Sequence, residues 1–401
     1  MALAITDDEL ASCVGCGLCL PHCPTFRVTG DEALSPRGRI ATIRRRQWEG
    51  VAFDRSTADT LNTCIQCRGC EPACPSGVPY GRIIEAAKQE LVANGLSTPW
   101  WQRLALSTLT RHRLLTATAP FVAWARRRGL VPTRLVPSDI DPSPGEPLVS
   151  SSRPDVWIFT GCVMDAWQRD THRSVAAIAG ELGFAIGVPD SRGACCGALH
   201  SHQGLATDAR RLARSVMDSM PGDAPIVVDS AGCGAALKDY HHLIGTPEAA
   251  AFAARVKDVH EWLEPHMSAL MRDRSPRPRT RVVVQDPCHL RHVQKSHAAV
   301  RGVLSHVVDI VELDDDGLCC GAGGAFSALQ PDMAESVRRR KVESIHRATG
   351  GEALVVASAN PGCLMHLRGA GLEVTHPVDI VADRLGIRED SRSKNRSFKQ
   401  T

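Results

Sequence analysis

Eight of the sixteen cysteines in this 401-residue chain form two closely spaced runs. The first run is "CVGCGLCLPHCP" at residues 13–24, and the second is "CIQCRGCEPACP" at residues 64–75. Each follows the spacing Cys-x2-Cys-x2-Cys-x3-Cys-Pro, by which bacterial proteins hold [4Fe–4S] clusters. A tight loop can direct three thiolates at three corners of one iron–sulfur cube, while the fourth thiolate points away.

The repetition of the run predicts two clusters that exchange ligands, because in the bacterial ferredoxin pattern the fourth cysteine serves the other cluster. The predicted ligands of the first cluster are Cys13, Cys16, Cys19 and Cys74. Those of the second cluster are Cys64, Cys67, Cys70 and Cys23. Zinc is the alternative, but zinc knuckles pair two cysteines with two more, which these four-cysteine runs fit poorly.

The other eight cysteines lie in two loosely repeated halves. "DVWIFTGC" matches "RVVVQDPC", "GACCGALHSHQG" matches "GLCCGAGGAFSAL", and "PIVVDSAGCG" matches "ALVVASANPGC". Each half alternates strand-like and helical stretches, which predicts parallel α/β layers with cysteines at the carboxyl ends of strands. The cysteines should therefore converge on two sites. The first site comprises Cys162, Cys195, Cys196 and Cys233, and the second Cys288, Cys319, Cys320 and Cys363.

The sequence does not determine what these two cysteine sites bind. Four thiolates can bind an iron–sulfur cluster or a zinc ion. Alternatively, adjacent cysteines are small buried residues or a redox-active pair without metal. Gly197 and Gly321, each directly after a Cys-Cys pair, favour a turn that presents ligands, because two neighbouring side chains rarely reach one ion unaided.

The predicted fold class is α+β with several domains. Residues 1–95 form a helical ferredoxin domain with two [4Fe–4S] clusters, and 96–150 form a basic helical arm and a Pro-rich linker. Residues 151–270 and 271–388 form two α/β Cys-Cys-Gly repeats with a pseudo-twofold relation, and 389–401 form a disordered tail. In the arm, residues 97–134 contain seven arginines and no Asp, Glu or Lys, which suggests a membrane-surface patch or a packed helical arm.

Composition narrows the functional class. A net charge of +3 is too small to indicate a nucleic-acid partner, and no DNA-reading module is present. The start "MALAITDDEL" has no apolar core of a signal peptide. We therefore expect a cytoplasmic protein, or one that lies peripherally on the inner face of the membrane, with reduced thiols that bind metal.

The double cysteine run, "SPRGRI", "CPSGVPYG" and the two Cys-Cys-Gly repeats together resemble the iron–sulfur subunit of bacterial glycolate oxidase over residues 8–385. The resemblance implies an oxidoreductase complex acting on CH–OH donors, in which a separate FAD-containing subunit oxidises glycolate or D-lactate. This chain would pass the electrons towards quinone and have no catalytic residue and no flavin of its own. The chain has no G-x-G-x-x-G after a predicted strand, in agreement with that division.

Related subunits of glycerol-3-phosphate dehydrogenase and heterodisulfide reductase provide the alternative. Heterodisulfide reductases have repeats that end in Cys-x-x-Cys and cleave disulfides at their own clusters. Here Ala236 and His366 occupy the last position, which disfavours that chemistry. Five histidines beside the cysteine motifs could tune cluster potentials through hydrogen bonds to sulfur. They are His200, His202, His289, His292 and His366.

Overall fold

The computed structural model describes residues 3–130, 147–272, 274–315 and 317–388. The predicted tail at 389–401, much of the Pro-rich linker and Arg134 lie outside the described residues. Between residues 3 and 130 the structure contains helices and loops but no strand. The helices are α1 Asp7–Ala11, α2 Pro24–Thr29, α3 Pro36–Trp48, α4 Arg55–Asn62, α5 Tyr80–Ala93, α6 Trp100–Thr110 and α7 His112–Arg127, with 3-10 turns Leu20–His22 and Glu32–Leu34.

Local sequence explains where the two long helices of the ferredoxin domain begin and end. The Ser35 side chain accepts a hydrogen bond from the Gly38 amide at 3.0 Å, and Pro36 occupies the first helical turn. Helix α5 presents apolar residues at helical spacing and ends shortly before Gly95. The buried faces of these helices form one core, on which both cysteine loops pack.

The first repeat contains a parallel four-stranded sheet, in which the strand order is β2-β1-β3-β4. Its strands are β1 Val156–Phe159, β2 Ile186–Gly187, β3 Ile226–Val228 and β4 Val256–Asp258. Its helices are α8 Cys162–Trp167, α9 Arg169–Glu181, α10 Ala198–His202, α11 Ala206–Ser219, α12 Ala231–Lys238, α13 Tyr240–Ile244, α14 Pro247–Ala254, α15 Val259–Leu263 and α16 Met267–Met271, with a 3-10 turn Glu264–His266.

The second repeat has the corresponding strand order, β6-β5-β7-β8, and its sheet is also parallel. Its strands are β5 Arg281–Gln285, β6 Asp309–Val311, β7 Val355–Ser358 and β8 Val374–Thr375. Its helices are the π-helix His289–Gln294, α17 His297–Leu304, α18 Phe326–Leu329, α19 Pro331–Thr349, α20 Pro361–Arg368 and α21 Pro377–Arg384. The helical N-terminal part and the two parallel sheets confirm the predicted α+β fold class.

The central strands of both sheets are short runs of β-branched residues that are buried on both faces, as parallel strands require. One apolar core joins residues of both repeats, among them Val156, Ile158, Val282 and Val284. In each sheet the strand that follows the first central strand (β2 after β1, β6 after β5) pairs on one side of it, and the next strand (β3 or β7) pairs on its other side. The carboxyl ends of the two central strands therefore form a crevice at a topological switch point.

Helices α6 and α7 form the basic arm and pack against the first repeat. Leu115 and Ala119 of α7 join a core cluster with Cys162, Ala166 and Cys195. Among the described residues, no helix is both long enough and apolar enough to cross a membrane.

Candidate metal centres

The first cysteine loop lines a cavity at the surface of the ferredoxin domain. Its cysteines share this cavity with the fourth cysteine of the second loop, so the structure brings together the set predicted for the first cluster. The cysteines that line it are Cys13, Cys16, Cys19 and Cys74, together with Cys70 of the set predicted for the second cluster. Apolar side chains of Ile40, Val78 and Tyr80 line its inner wall, while Cys16 is exposed to solvent.

The second cysteine loop lines a separate, more buried cavity. The cysteines in its wall are Cys23, Cys64, Cys67 and Cys70, which is the set predicted for the second cluster. The Tyr80 hydroxyl donates a hydrogen bond to the Cys64 sulfur at 3.6 Å. Burial raises the pKa of the Cys70 thiol well above its usual value, so a thiolate there needs a bound metal or a nearby cation.

The two loops reach the same backbone shape with different residues. In the first loop, the left-handed positions are Gly15 and Gly17, with φ of 71° and 85°. In the second loop they are Gln66 and Arg68, with φ of 59° and 57°, although a side chain there costs about 1 kcal/mol. The Gln66 side chain donates to the His202 carbonyl at 2.8 Å, which compensates for that strain and fixes the loop to the first repeat.

In the first repeat, the predicted quartet lies at the switch-point crevice. Cys162 follows β1 and Cys233 lies in α12 after β3. The sulfurs of Cys162 and Cys195 are 4.0 Å apart, and those of Cys196 and Cys233 are 3.3 Å apart. Gly197 has a φ of 77°, and a Cβ at this position would lie 3.2 Å from the Ala209 carbonyl oxygen. The turn therefore requires glycine.

The second quartet has the same placement relative to β5 and β7. Cys288 packs against the cluster that contains Cys319, and Cys320 and Cys363 belong to another buried cluster. The Asn360 side chain donates to the Cys363 sulfur at 3.5 Å. Gly321 has a φ of 91°, and an added Cβ would lie 2.5 Å from the Ala334 carbonyl oxygen. Both Cys-Cys-Gly turns thus depend on their glycine for the same reason.

The two quartets face one central cavity of about 190 Å³ between the repeats. Apolar side chains such as Phe159, Leu199 and Met365 contribute much of its wall. All eight cysteines line it. The repeats therefore form one shared chamber rather than two isolated sites.

The second quartet is in direct contact with the ferredoxin domain. The Cys67 side chain packs against the apolar cluster that contains Cys319, and Ile65 and Phe326 belong to the same cluster. The His289 ring nitrogen lies 2.9 Å from the Gln66 carbonyl oxygen. The predicted ligands of the second ferredoxin cluster and those of the second repeat are thus immediate neighbours.

The spacing of the sulfurs bears on the choice between zinc and a cluster. Tetrahedral zinc with Zn–S bonds of about 2.3 Å places its thiolates about 3.8 Å apart. Within the described ranges, the one group of three metal-ligating side chains whose atoms all lie within 4.8 Å is Asp239, His241 and His242. No three cysteine sulfurs are so compact in the part of the chain that the structure describes, but two pairs in the first repeat, at 4.0 and 3.3 Å, have the spacing of zinc thiolates, so the distances do not decide between zinc and a cluster. In that surface group, the His242 ring nitrogen already lies 2.9 Å from the Asp239 carboxylate.

The five histidines lie near the cysteines without bonding to them. His200, His202 and His289 line the central chamber, and burial lowers the pKa of each below its usual value. Burial also lowers the pKa of His292, to about 4. The His366 ring nitrogen lies 3.4 Å from the Ala334 carbonyl oxygen. In the part of the chain that the structure describes, no hydrogen bond joins any of the five to a cysteine sulfur, so their tuning role stays a prediction.

Two polar residues at the sites were missed in the sequence. The Tyr240 hydroxyl donates to the Cys196 carbonyl at 2.9 Å, and the Tyr80 hydroxyl contacts the Cys64 sulfur. These are the two tyrosines of the whole chain. Their rarity is the signal that could have drawn attention to them.

The fold and the sites define a class: a two-cluster ferredoxin-type domain joined to paired cysteine-rich domains. Residues 9–78 match the family described as 4Fe-4S dicluster domain. Residues 156–238 and 282–368 each match the family described as Cysteine-rich domain. These matches indicate that the chain carries iron–sulfur clusters.

Proteins that are similar over nearly the whole chain identify the family more narrowly. The probable glycolate oxidase iron-sulfur subunit of Bacillus subtilis is 30% identical over 401 aligned residues, which cover 90% of this chain and 89% of that protein. The glycolate oxidase iron-sulfur subunit of Escherichia coli is 29% identical, with 94% and 95% covered. This chain belongs to the family of glycolate oxidase iron–sulfur subunits. One of the subunits of the dihydromethanophenazine:CoB–CoM heterodisulfide reductase of Methanosarcina barkeri is also similar, at 27% identity with 96% of each chain covered.

Proposed function

We propose that this chain is the electron-transfer subunit of a complex that oxidises glycolate or a related 2-hydroxy acid such as D-lactate. A FAD-containing partner subunit performs the substrate chemistry, and this chain carries the electrons onward towards quinone. It holds no flavin and does not turn over the acid alone. The names of the Bacillus and Escherichia relatives support this assignment.

The cysteines supply donor sets that fit [4Fe–4S] clusters. Cys13, Cys16, Cys19 and Cys74 hold the first, and Cys64, Cys67, Cys70 and Cys23 hold the second, through thiolates that line two separate cavities. Bound clusters supply one-electron transfer. The quartets of the two repeats hold a further cluster or a zinc ion, since four thiolates can bind either.

The packing of Cys67 against the cluster that contains Cys319 is the observation that carries the proposal. It places the second ferredoxin site beside the second repeat. The first ferredoxin site is open to solvent at Cys16, so that loop exchanges electrons with the flavoprotein. The path then runs through the second loop into the central chamber and on towards quinone at the inner face of the membrane.

Reconstitution tests this function. The chain is purified without oxygen, alone and together with its FAD-containing partner, and each preparation receives glycolate or D-lactate with a quinone analogue. We expect quinone reduction only when both proteins are present. Turnover of the acid by this chain alone would contradict the proposal, as would stoichiometric zinc without acid-labile sulfide in the purified protein.

A heterodisulfide reductase-like activity is the second candidate, since the Methanosarcina relative matches over nearly the whole chain. The shared apolar chamber lined by both quartets favours it, because such a chamber could admit a disulfide substrate. Ala236 and His366 at the fifth-ligand positions count against it. An iron–sulfur protein of glycerol-3-phosphate dehydrogenase would have the same electron path. Two assays separate these alternatives. Cleavage of added disulfides by the reduced protein would indicate the heterodisulfide reductase-like activity. Oxidation of glycerol 3-phosphate by the complex would indicate the glycerol-3-phosphate dehydrogenase.

A further inference from the structure

The arm formed by α6 and α7 presents an unusual concentration of exposed apolar side chains. Among the described residues, twelve large apolar side chains are exposed, and seven of them lie between residues 100 and 130. They are Trp100, Trp101, Leu104, Leu114, Phe121, Trp124 and Leu130. Trp100 is 76% exposed and Phe121 is 66% exposed. A patch of this kind on a globular protein marks an interaction surface.

These side chains lie on the outer face of the arm, because its inner face is already used. Leu106 of α6 and Leu115 and Ala119 of α7 are buried. The His112 ring also contacts the Asp165 carboxylate of α8 at 2.9 Å. Along α7, Leu114, Phe121 and Trp124 recur at the spacing that places them on one side of a helix. The outer face is therefore a second apolar stripe, opposite the one that packs on the first repeat.

The charge of the arm specifies what covers this face. Residues 97–130 contain no acidic residue, and Arg103, Arg111, Arg113 and Arg128 are exposed. The Arg128 guanidinium lies over the Trp124 ring, 5.4 Å from its centroid. Tryptophan and arginine together, without carboxylates, are the side chains that occupy the headgroup region of an anionic bilayer.

We propose that the outer face of the arm docks on an anionic membrane surface. Helices α6 and α7, of 11 and 16 residues, lie in the plane of the interface with their aromatic side chains among the acyl chains. The proposal deepens the proposed function by naming the surface that receives the chain, but it does not depend on electron transfer. Leu109 of α6 lines the central chamber, so the membrane lies on the side of the first quartet.

Vesicle binding tests this surface on the full-length, cluster-containing chain and on its complex with the flavoprotein. The probes are vesicles of phosphatidylcholine alone and of phosphatidylcholine mixed with phosphatidylglycerol. Co-sedimentation and the shift of tryptophan fluorescence are recorded as salt rises. We expect binding to the anionic vesicles alone, weakened by salt. Replacing Arg103, Arg111 and Arg113 with Gln should weaken it about a hundredfold, or about fivefold for each arginine.

A charge-matched control removes arginines of similar exposure elsewhere. The control replaces Arg45, Arg192 and Arg281, which are 63%, 83% and 50% exposed, with Gln. It should bind like the natural chain. A second arm variant, Trp100→Ser with Phe121→Ser and Trp124→Ser, keeps every arginine and should co-sediment less with the anionic vesicles, whereas Val149→Ser should not. Iron content and circular dichroism establish that each variant folds.

Three results would overturn the proposal. The first is the absence of binding to either vesicle, and the second is an equal loss in the control variant. The third is an arm variant that keeps vesicle binding but no longer co-purifies with the flavoprotein, because the arm would then be a protein interface. None of these results depends on the turnover of a 2-hydroxy acid, so the proposed function is judged separately.

Discussion

The two ferredoxin loops share one cysteine pattern but have opposite surroundings. In the first loop, Val14 is 74% exposed and Leu18 is 55% exposed. In the second, Ile65 and Gln66 are each only 5% exposed, because they pack against the two repeats. The same motif thus produces one loop that is accessible to a partner and one that is committed to the interior of the protein.

The residue types at the left-handed positions follow from this difference. A loop that faces solvent gains nothing from side chains there, so glycine is the least costly choice. A loop that docks on another domain can offset the backbone strain with contacts, as Gln66 does with His202. The departure from glycine in a ferredoxin loop therefore indicates where that loop is held by the rest of the molecule.

The largest expected effect separates the two loops directly. Cys16→Ser and Cys67→Ser should each remove one cluster, or about half of the iron bound by the ferredoxin domain. Cys67→Ser should also disturb the second quartet, because Cys67 packs against the cluster that contains Cys319. Iron and acid-labile sulfide, with electron paramagnetic resonance spectra of the reduced protein, measure both losses. If the signals of the repeats change equally in the two variants, the loops do not differ in the way the structure indicates.

The interface beneath the second loop should make stability depend on pH. Burial and the nearby Asp239 carboxylate raise the pKa of Glu85 on α5 to about 7. Because this pKa exceeds its unfolded value, the folded state binds more protons, and stability falls as pH rises from about 4.5 through 7. Glu85→Gln should remove that loss and raise the free energy of unfolding at pH 8 by up to about 3 kcal/mol.

Glu90 on the same helix provides a control of opposite sign. Burial opposes its ionisation, but the hydrogen bond from Arg46 lowers the pKa of Glu90 below its usual value. The ionised Glu90 carboxylate therefore stabilises the folded protein at pH values above the pKa of Glu90 in the unfolded chain. This stabilisation is lost as pH falls through the lower pKa of Glu90 in the folded protein. Glu90→Gln should therefore destabilise the protein at neutral pH. Denaturant unfolding at pH 5 and pH 8 distinguishes the two variants, and parallel curves for both would contradict the expected difference.

Exchanging the left-handed residues tests the loops at smaller scale. No atom lies within 4 Å of a Cβ added at Gly15, so Gly15→Gln should cost only the backbone strain of about 1 kcal/mol. Gln66→Gly relieves the same strain but loses the bond to the His202 carbonyl, which is worth a similar amount. We expect little net change in global stability but faster hydrogen exchange in α10. Unchanged exchange in α10 would mean that Gln66 does not hold the second loop.

Several features of the fold and sites were predictable from sequence because local chemistry determines them. The β-branched runs before Cys162 and Cys288 predicted buried strands, and Gly197 and Gly321 predicted the turns that the structure contains. The edge strands β2 and β8 have two residues each, which is too short for any periodicity. The packing of Cys67 against the cluster that contains Cys319 joins distant parts of the chain. It depends on how two domains pack, which no local pattern encodes.

The smallest expected effect concerns the potential of the second ferredoxin cluster. Lys88 is 2% exposed and lies close enough to Cys64 for their charges to interact, and burial lowers its pKa to about 8. It is therefore a cation at neutral pH, and a buried cation favours the more negative, reduced state of a nearby cluster. Lys88→Met, which keeps the length of the side chain, should lower the potential of the second cluster by on the order of tens of millivolts.

Arg45→Met, the control variant, removes an exposed cation and should change the potential of neither cluster. Redox titration followed by paramagnetic resonance measures both clusters. If Lys88→Met shifts the potential of the second cluster alone, the two loops differ in their electrostatic surroundings as well as in their exposure. Equal shifts of both cluster potentials would contradict that difference.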